Sequence, residues 1–297
     1  MSTCCSNAAK IGGRLIVLYY LGLGLLLSVP VSIFAGLFLA VLDEAKLMLL
    51  ARIEGSEERD DLIGPIIKAY KNGNLAFQDV LNSANSLVTA GAESTAWTLS
   101  ALFYCLSANP GSLTRLIEEV RSTFQESQEI SLSKTEKLAY LNTCIKEALR
   151  LYPALSQNMP RVTVSGVRVI AEVHAIVSIS PYVMSHFSRN FSEPFAFRPE
   201  RFLGDARFAQ DKLDASQPFS SGPRSCASRN LFYASSRLIV SKLLCNFDVE
   251  PITETESWGS GHKVYLLFQH RPLRMRLKPA NRRGGHVLPH LKSVERD

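Results

Sequence analysis

Residues 219–226 read Phe-Ser-Ser-Gly-Pro-Arg-Ser-Cys. Gly222 and Pro223 break regular structure there, one by freeing the backbone and the other by removing a donor. The stretch that follows has helical spacing and predicts a helix from about Cys226 to Cys245. The chain must therefore turn, and it must set a cysteine where that helix begins. Helix-terminal amides and the helix dipole favour a thiolate at such a place. An isolated cysteine is more often a small buried residue. Here Phe219, Gly222, Arg224 and Cys226 stand in a fixed register, which favours a ligand.

Two further stretches carry chemistry. Glu147-Ala-Leu-Arg150 places a carboxylate and a guanidinium three residues apart, on one helix face. Alone, such a pair is an ordinary solvated ion pair. It is followed downstream by Phe197-Arg-Pro-Glu-Arg201-Phe202. Ala90-Gly91-Ala92-Glu93-Ser94-Thr95 lies within a helix predicted over about 75–106. It sets an acid beside a hydroxyl and next to a glycine, an arrangement suited to passing protons. Alone, small residues on a helix serve packing.

In this order the three stretches resemble the cytochrome P-450 family. The loop matches F-x-x-G-x-R-x-C-x-G, the second pair of stretches matches its ExxR and PERF segments, and the third matches A-G-x-[DE]-T-T. The resemblance covers about Asp60 to Lys278, and the wording is closest to filamentous-fungal members. It implies a haem b cofactor with Cys226 as axial ligand to iron, a thiolate that favours O–O cleavage. It places Phe219 and Gly222 in the cofactor loop, with Arg224 and Arg161, in Met159-Pro160-Arg161, on haem propionates. It implies a buried structural triad of Glu147, Arg150 and Arg201. Glu93 and Ser94 become the acid and alcohol of the oxygen-activation segment, with Thr95 beside them. The implied activity is that of a monooxygenase in fungal secondary metabolism. It would hydroxylate or epoxidise a small apolar molecule, with O2 and electrons from NADPH through cytochrome P-450 reductase.

Four departures qualify this. Ser228 stands where the family has glycine, so a side chain is added near the haem face. Ser94 stands where threonine is usual, which frees its rotamer. The segment Gly166 to Ser180 is short and lacks the V-P-x-G-T turn. No counterpart of the family's N-terminal half is evident before residue 60. These departures open a second reading, a truncated and non-catalytic remnant in the membrane.

Residues 1–58 form an N-terminal segment holding an apolar run from Leu15 to Leu42 without a charged residue. That length suffices to span a bilayer, with Pro30 kinking it, or to form two buried helices. The family relation favours the endoplasmic reticulum membrane with the haem region cytosolic. Residues 59–278 form the haem-binding region, and 279–297 a disordered Pro/Gly/Arg-rich tail. The expected fold is mainly α with a small β region, the C-terminal part of the P-450 architecture. The net charge of +6 is spread along the chain, without the dense basic block that a nucleic-acid partner needs. The six cysteines show neither zinc spacing nor a disulfide framework.

Overall fold

A computed structural model describes residues 46–55, 59–156, 160–162, 176–252, 258–259, 262–264, 268–269 and 272–280. The apolar run, the segment 163–175 and the tail from 281 lie outside the described residues. Among the described residues no helix is long and apolar enough to cross a membrane. The helices are α1 (Gly64–Lys71), α2 (Phe77–Ala108), α3 (Pro110–Thr123), α4 (Leu132–Thr135), α5 (Ala139–Leu151), α6 (Pro181–His186) and α7 (Arg229–Asn246). The strands are β1 (Arg161–Val162), β2 (Ile176–Val177), β3 (Phe247–Pro251), β4 (Lys263–Val264), β5 (Phe268–Gln269) and β6 (Met275–Pro279). They form three two-stranded antiparallel pairs, β1–β2, β3–β6 and β4–β5. The fold is thus mainly helical with a small β component.

The chain divides into two compact units, and α2 belongs to the first through Trp97 and to the second from Thr98. In the first, residues 46–54 are helical. A small core forms from Leu49, Ile67 and Val80. Asp61 accepts from Gly64 N at 2.8 Å and so satisfies a free amide at the start of α1, where Pro65 needs none.

The second unit holds the larger core. Leu102 and Leu106 of α2, Leu116 and Val120 of α3, Leu141 and Ile145 of α5, and Val240 and Leu244 of α7 are all fully buried in one cluster. The helical spacing of Leu116, Val120 and Phe124 puts them on the buried face of α3.

The helix starts and stops are not set by the nearest residues able to cap them. Asn74 does not cap the long helix; its own amide bonds to Ala69 O, and α2 begins at Phe77, with Asp79 accepting from Ala76 N at 3.2 Å. Ser112 does not start α3. Asn109 occupies that N-cap and Pro110 follows it, so one dipeptide ends α2 and begins α3. Ser133 and Glu136 form no capping box before α5. Instead Glu119 of α3 reaches across and accepts from Tyr140 N at 2.7 Å and Leu141 N at 2.8 Å, so a side chain from another helix takes the place of a local cap. Arg121 does the converse at the end of α7, donating to Leu244 O and Phe247 O and pairing with Asp248. The last helix begins at Arg229, three residues after Cys226.

Candidate functional site: the cysteine loop and its buried support

The loop 219–226 is closed by its own backbone. Cys226 N donates to Phe219 O at 2.9 Å, and Ser225 N donates to Gly222 O at 3.0 Å. Gly222 has φ +74°, and a Cβ there would meet nothing within 4 Å. Its glycine is therefore required by the left-handed backbone and not by lack of space. Ser220 also takes a positive φ, of 60°. Phe219 anchors the loop, with ring centroids 5.3 Å from Phe232 and 5.5 Å from Tyr233 on α7.

Of the four described cysteines, Cys105, Cys144 and Cys245 are buried and Cys226 is exposed. Burial pushes the Cys105 and Cys144 thiols up, away from the range in which a thiolate forms. Arg224 is exposed beside Cys226 and pairs with no carboxylate among the described residues. Arg161 is exposed in β1. Ser228 is the N-cap of α7 with φ −93° and ψ 14°, and its carbonyl accepts from Phe232 N at 2.9 Å. That backbone suits any residue, so glycine is not needed there for conformation.

The second unit also holds a network of buried charge. Arg150 holds Glu147 in two parallel bonds, Nε to Oε2 and Nη2 to Oε1, each 2.8 Å. Arg201 Nε donates to Glu147 Oε1 at 3.2 Å. The side chains of Glu147, Arg150 and Arg201 are 0 % exposed. Sequence reasoning had grouped these three; the structure adds Asp211. Its carboxylate pairs with Arg201 Nη1 and accepts from Ser192 N at 2.7 Å and from Ser192 Oγ. Two guanidiniums facing one carboxylate would leave a buried positive charge, and Asp211 neutralises it. The remaining donors find carbonyls: Arg150 Nη1 bonds Ser185 O at 2.8 Å and Pro194 O at 2.7 Å, and Arg201 Nη2 bonds Ser192 O at 3.0 Å. Phe191 lies under both guanidiniums, 5.1 Å from Arg150 Cζ and 5.6 Å from Arg201 Cζ. Burial presses the Arg201 guanidinium down, and Glu147 opposes that. The network fixes the irregular stretch 185–201 onto α5.

Glu93, Ser94 and Thr95 stand on α2 within the other unit. Ser94 Oγ donates to Ala90 O at 2.5 Å, one helical turn back. Its hydroxyl proton is thus held on the helix. All three side chains are half-buried, and Gly91 leaves open space where a Cβ would stand.

Comparison with known proteins decides what this arrangement belongs to. The profile of the cytochrome P-450 family matches residues 33–277. The chain belongs to the cytochrome P-450 family. The match reaches farther upstream than the motifs do. The chain is 38 % identical over 226 residues to the cytochrome P-450 monooxygenase tpeC of Talaromyces stipitatus, covering 75 % of this chain and 44 % of that one. It is 35 % identical over 242 residues to the trichothecene C-15 hydroxylase of Fusarium sporotrichioides, covering 79 % of this chain and 49 % of that one. It is 36 % identical over 246 residues to cytochrome P-450 monooxygenase 1 of Neocamarosporium betae, covering 81 % and 50 %. The chain spans about half the length of these curated relatives. The cofactor of the family is haem b, and the loop fits such a group: it offers an accessible thiol, an unpaired guanidinium two residues away and a glycine without a side chain between anchor and ligand.

Proposed function

We propose that the chain carries a haem-thiolate monooxygenase centre with Cys226 as the axial ligand. One observation carries this reading: the cysteine in the closed loop is the exposed one, while the other described cysteines are sealed in the core. Bound haem would supply the iron at which dioxygen is activated. Cys226 Sγ would hold the iron, and Arg224 and Arg161 would pair with the propionates. The Glu147–Arg150–Arg201–Asp211 network would keep the stretch 185–201 rigid on α5. Glu93 and Ser94 would pass protons from the solvent side, with Ser94 Oγ the near acceptor and donor and Thr95 supporting it.

The fungal monooxygenase relatives, one named for trichothecene C-15 hydroxylation, support a role in secondary metabolism on a small apolar substrate. On the family relation, electrons would come from NADPH through cytochrome P-450 reductase. The run from Leu15 to Leu42 would enter the endoplasmic reticulum membrane, with the haem region on the cytosolic side.

The test is the absorption spectrum of the full chain, expressed with haem supplied, then reduced and bound by carbon monoxide. A red-shifted Soret band in the wild type that is lost in Cys226→Ala supports the reading. An unshifted band places another ligand on iron, and no haem band at all favours a non-catalytic remnant; either result overturns it.

A further inference from the structure

Ser228 stands two residues after Cys226, at the N-cap of α7. A serine at a helix start ordinarily turns its hydroxyl onto a free amide of the first turn, and it does so from extended backbone. Ser180 at the start of α6 behaves in that way: its ψ is 116°, and its Oγ accepts from Val183 N at 3.3 Å. Ser228 does not. Its ψ is 14° and its side chain makes no capping bond, although its carbonyl accepts from Phe232 N at 2.9 Å. Nor does its hydroxyl bond any other group among the described residues. The chain turns at 227–228, so this hydroxyl and the Cys226 thiol flank a single residue, Ala227, whose side chain donates nothing. Ser225, on the other side of Cys226, is placed differently. It is extended, with φ −62° and ψ 158°, and neighbouring side chains on extended backbone point to opposite sides. Ser228 is thus the hydroxyl that the loop leaves uncommitted beside the exposed cysteine.

We infer that the Ser228 hydroxyl donates a hydrogen bond to the Cys226 sulfur when that sulfur is a thiolate on iron. The inference rests on the proposed ligation by Cys226. A neutral thiol is a weak acceptor, whereas a thiolate is a charged one, and a bond to a charged acceptor is about twice as strong as one between neutral groups. The bond therefore belongs to the ligated state. A glycine at this position offers no side-chain donor, so the departure from the family's residue is electronic as well as steric. Hydrogen bonds to the ligand are one of the means by which a protein sets the electronics of a haem iron. Such a bond draws electron density from the sulfur and weakens its donation to iron. Ser228 is then a positioning residue that acts through Cys226: it makes the iron easier to reduce and moderates the thiolate's push.

The full chain, loaded with haem, is compared with three variants. Ser228→Ala and Ser228→Gly lose the donor, and Ser228→Thr keeps it. Two quantities are read: the midpoint reduction potential, by dye-mediated titration, and the C–O stretch of the reduced carbon-monoxide complex, by infrared absorption. A sulfur relieved of the bond gives more charge to iron and, through it, to carbon monoxide. Ser228→Ala and Ser228→Gly should therefore both move the potential to more negative values and the C–O stretch to lower frequency, by similar amounts. Ser228→Thr should stay with the wild type. If both donor-free variants keep the wild-type values while the red-shifted Soret band is present, this inference is overturned and ligation by Cys226 stands. A shift in Ser228→Gly alone, or one in Ser228→Thr as large as in Ser228→Ala, arises from backbone or bulk and also overturns it. If the wild type shows no thiolate band, the ligation reading fails and this one with it. Ser228→Ala removes no bond of the haem-free chain, so an unchanged haem-free melt separates the shifts from any loss of fold.

Discussion

Replacing Asp211 with asparagine isolates the charge that completes the buried network. The amide keeps the size of the carboxylate, and its oxygen can still accept from Ser192 N and Oγ. What is lost is the negative charge beside Arg201 Nη1, and an N–H group then faces another donor. With Glu147 as sole acid against Arg150 and Arg201, one positive charge is left without a counter-charge where the side chains are 0–1 % exposed. Removing one partner of a buried pair costs about 3–5 kcal/mol. Coulomb's law agrees, giving about 4 kcal/mol at roughly 4 Å and an effective dielectric near 20. Against a total stability of about 5–15 kcal/mol that is a large share. At about 2–4 °C per kcal/mol for a chain of this size, the melt should fall by roughly 6–20 °C. The assay is thermal and urea unfolding of Asp211→Asn beside Asp205→Asn, whose pair with Arg207 is exposed and should matter little. Glu147→Gln should be at least as harmful, because that carboxylate accepts from Arg150 Nε and Nη2, Arg201 Nε and Arg198 N. If Asp211→Asn melts with Asp205→Asn, the charge balance argued for this site is wrong.

Other outcomes follow from single positions. Gly222→Ala should cost about 1–2 kcal/mol, because φ is +74°. Gly91→Ala, in helical backbone with open space around it, should stabilise by about 0.5–1 kcal/mol; thermal melts of the two variants should move in opposite directions. Ser241 buries a hydroxyl that has no hydrogen-bond partner among the described residues. Ser241→Ala should therefore leave urea stability unchanged or raise it by up to about 1 kcal/mol, while a loss larger than that would show an unseen partner. Burial lowers the His186 pKa from the ordinary 6.5, with the Tyr182 carbonyl opposing. The unfolded chain then binds more protons, so stability should fall as pH drops below about 6.5 and until the folded value is passed. His186→Gln should flatten that slope in melts recorded between neutral and acid pH.

Some parts of this molecule could be read along the chain and others could not. The triad was legible only through the family resemblance: spacing puts Glu147 and Arg150 on one helix face, and the match of Pro-Glu-Arg-Phe to the family's segment joins Arg201 to them. Asp211 was not, since it is a lone acid in irregular chain whose partner lies ten residues back. Only the count of buried charges points to it: two guanidiniums require two carboxylates. The core face of α3 was legible from its 3.6-residue period. The helix starts were not. Asn109 and Ser112 are both competent N-caps, and the choice falls to Asn109 because Pro110 is best placed at the first helical position. The amides at the start of α5 are met by Glu119, a helix away, and no local pattern reports such a contact. The concern over Ser228 is the side chain it adds near the haem face, and its φ of −93° shows only that the backbone there does not itself need glycine.

The loop and the network divide the work in a way that makes ligation testable apart from folding. A cysteine in the core would be held neutral, as burial does to Cys105 and Cys144. A ligand must therefore stay outside the core, and then its own side chain cannot order the loop. Order comes from elsewhere: the Cys226 amide on Phe219 O, the left-handed turn at Gly222, and the Phe219 ring against Phe232 and Tyr233. Cys226→Ala removes none of these, so its haem-free melt should match that of the wild type. Phe219→Ala removes the anchor. Truncating a partly buried phenylalanine should cost about 1–3 kcal/mol and free the loop. Circular-dichroism melts without haem and titration with haem separate the two. Cys226→Ala should fail only in the thiolate signature, and Phe219→Ala should lose stability first. A Cys226→Ala protein that unfolds as readily as Phe219→Ala would show the thiol to be part of the scaffold, and loss of its spectrum would then say nothing about iron.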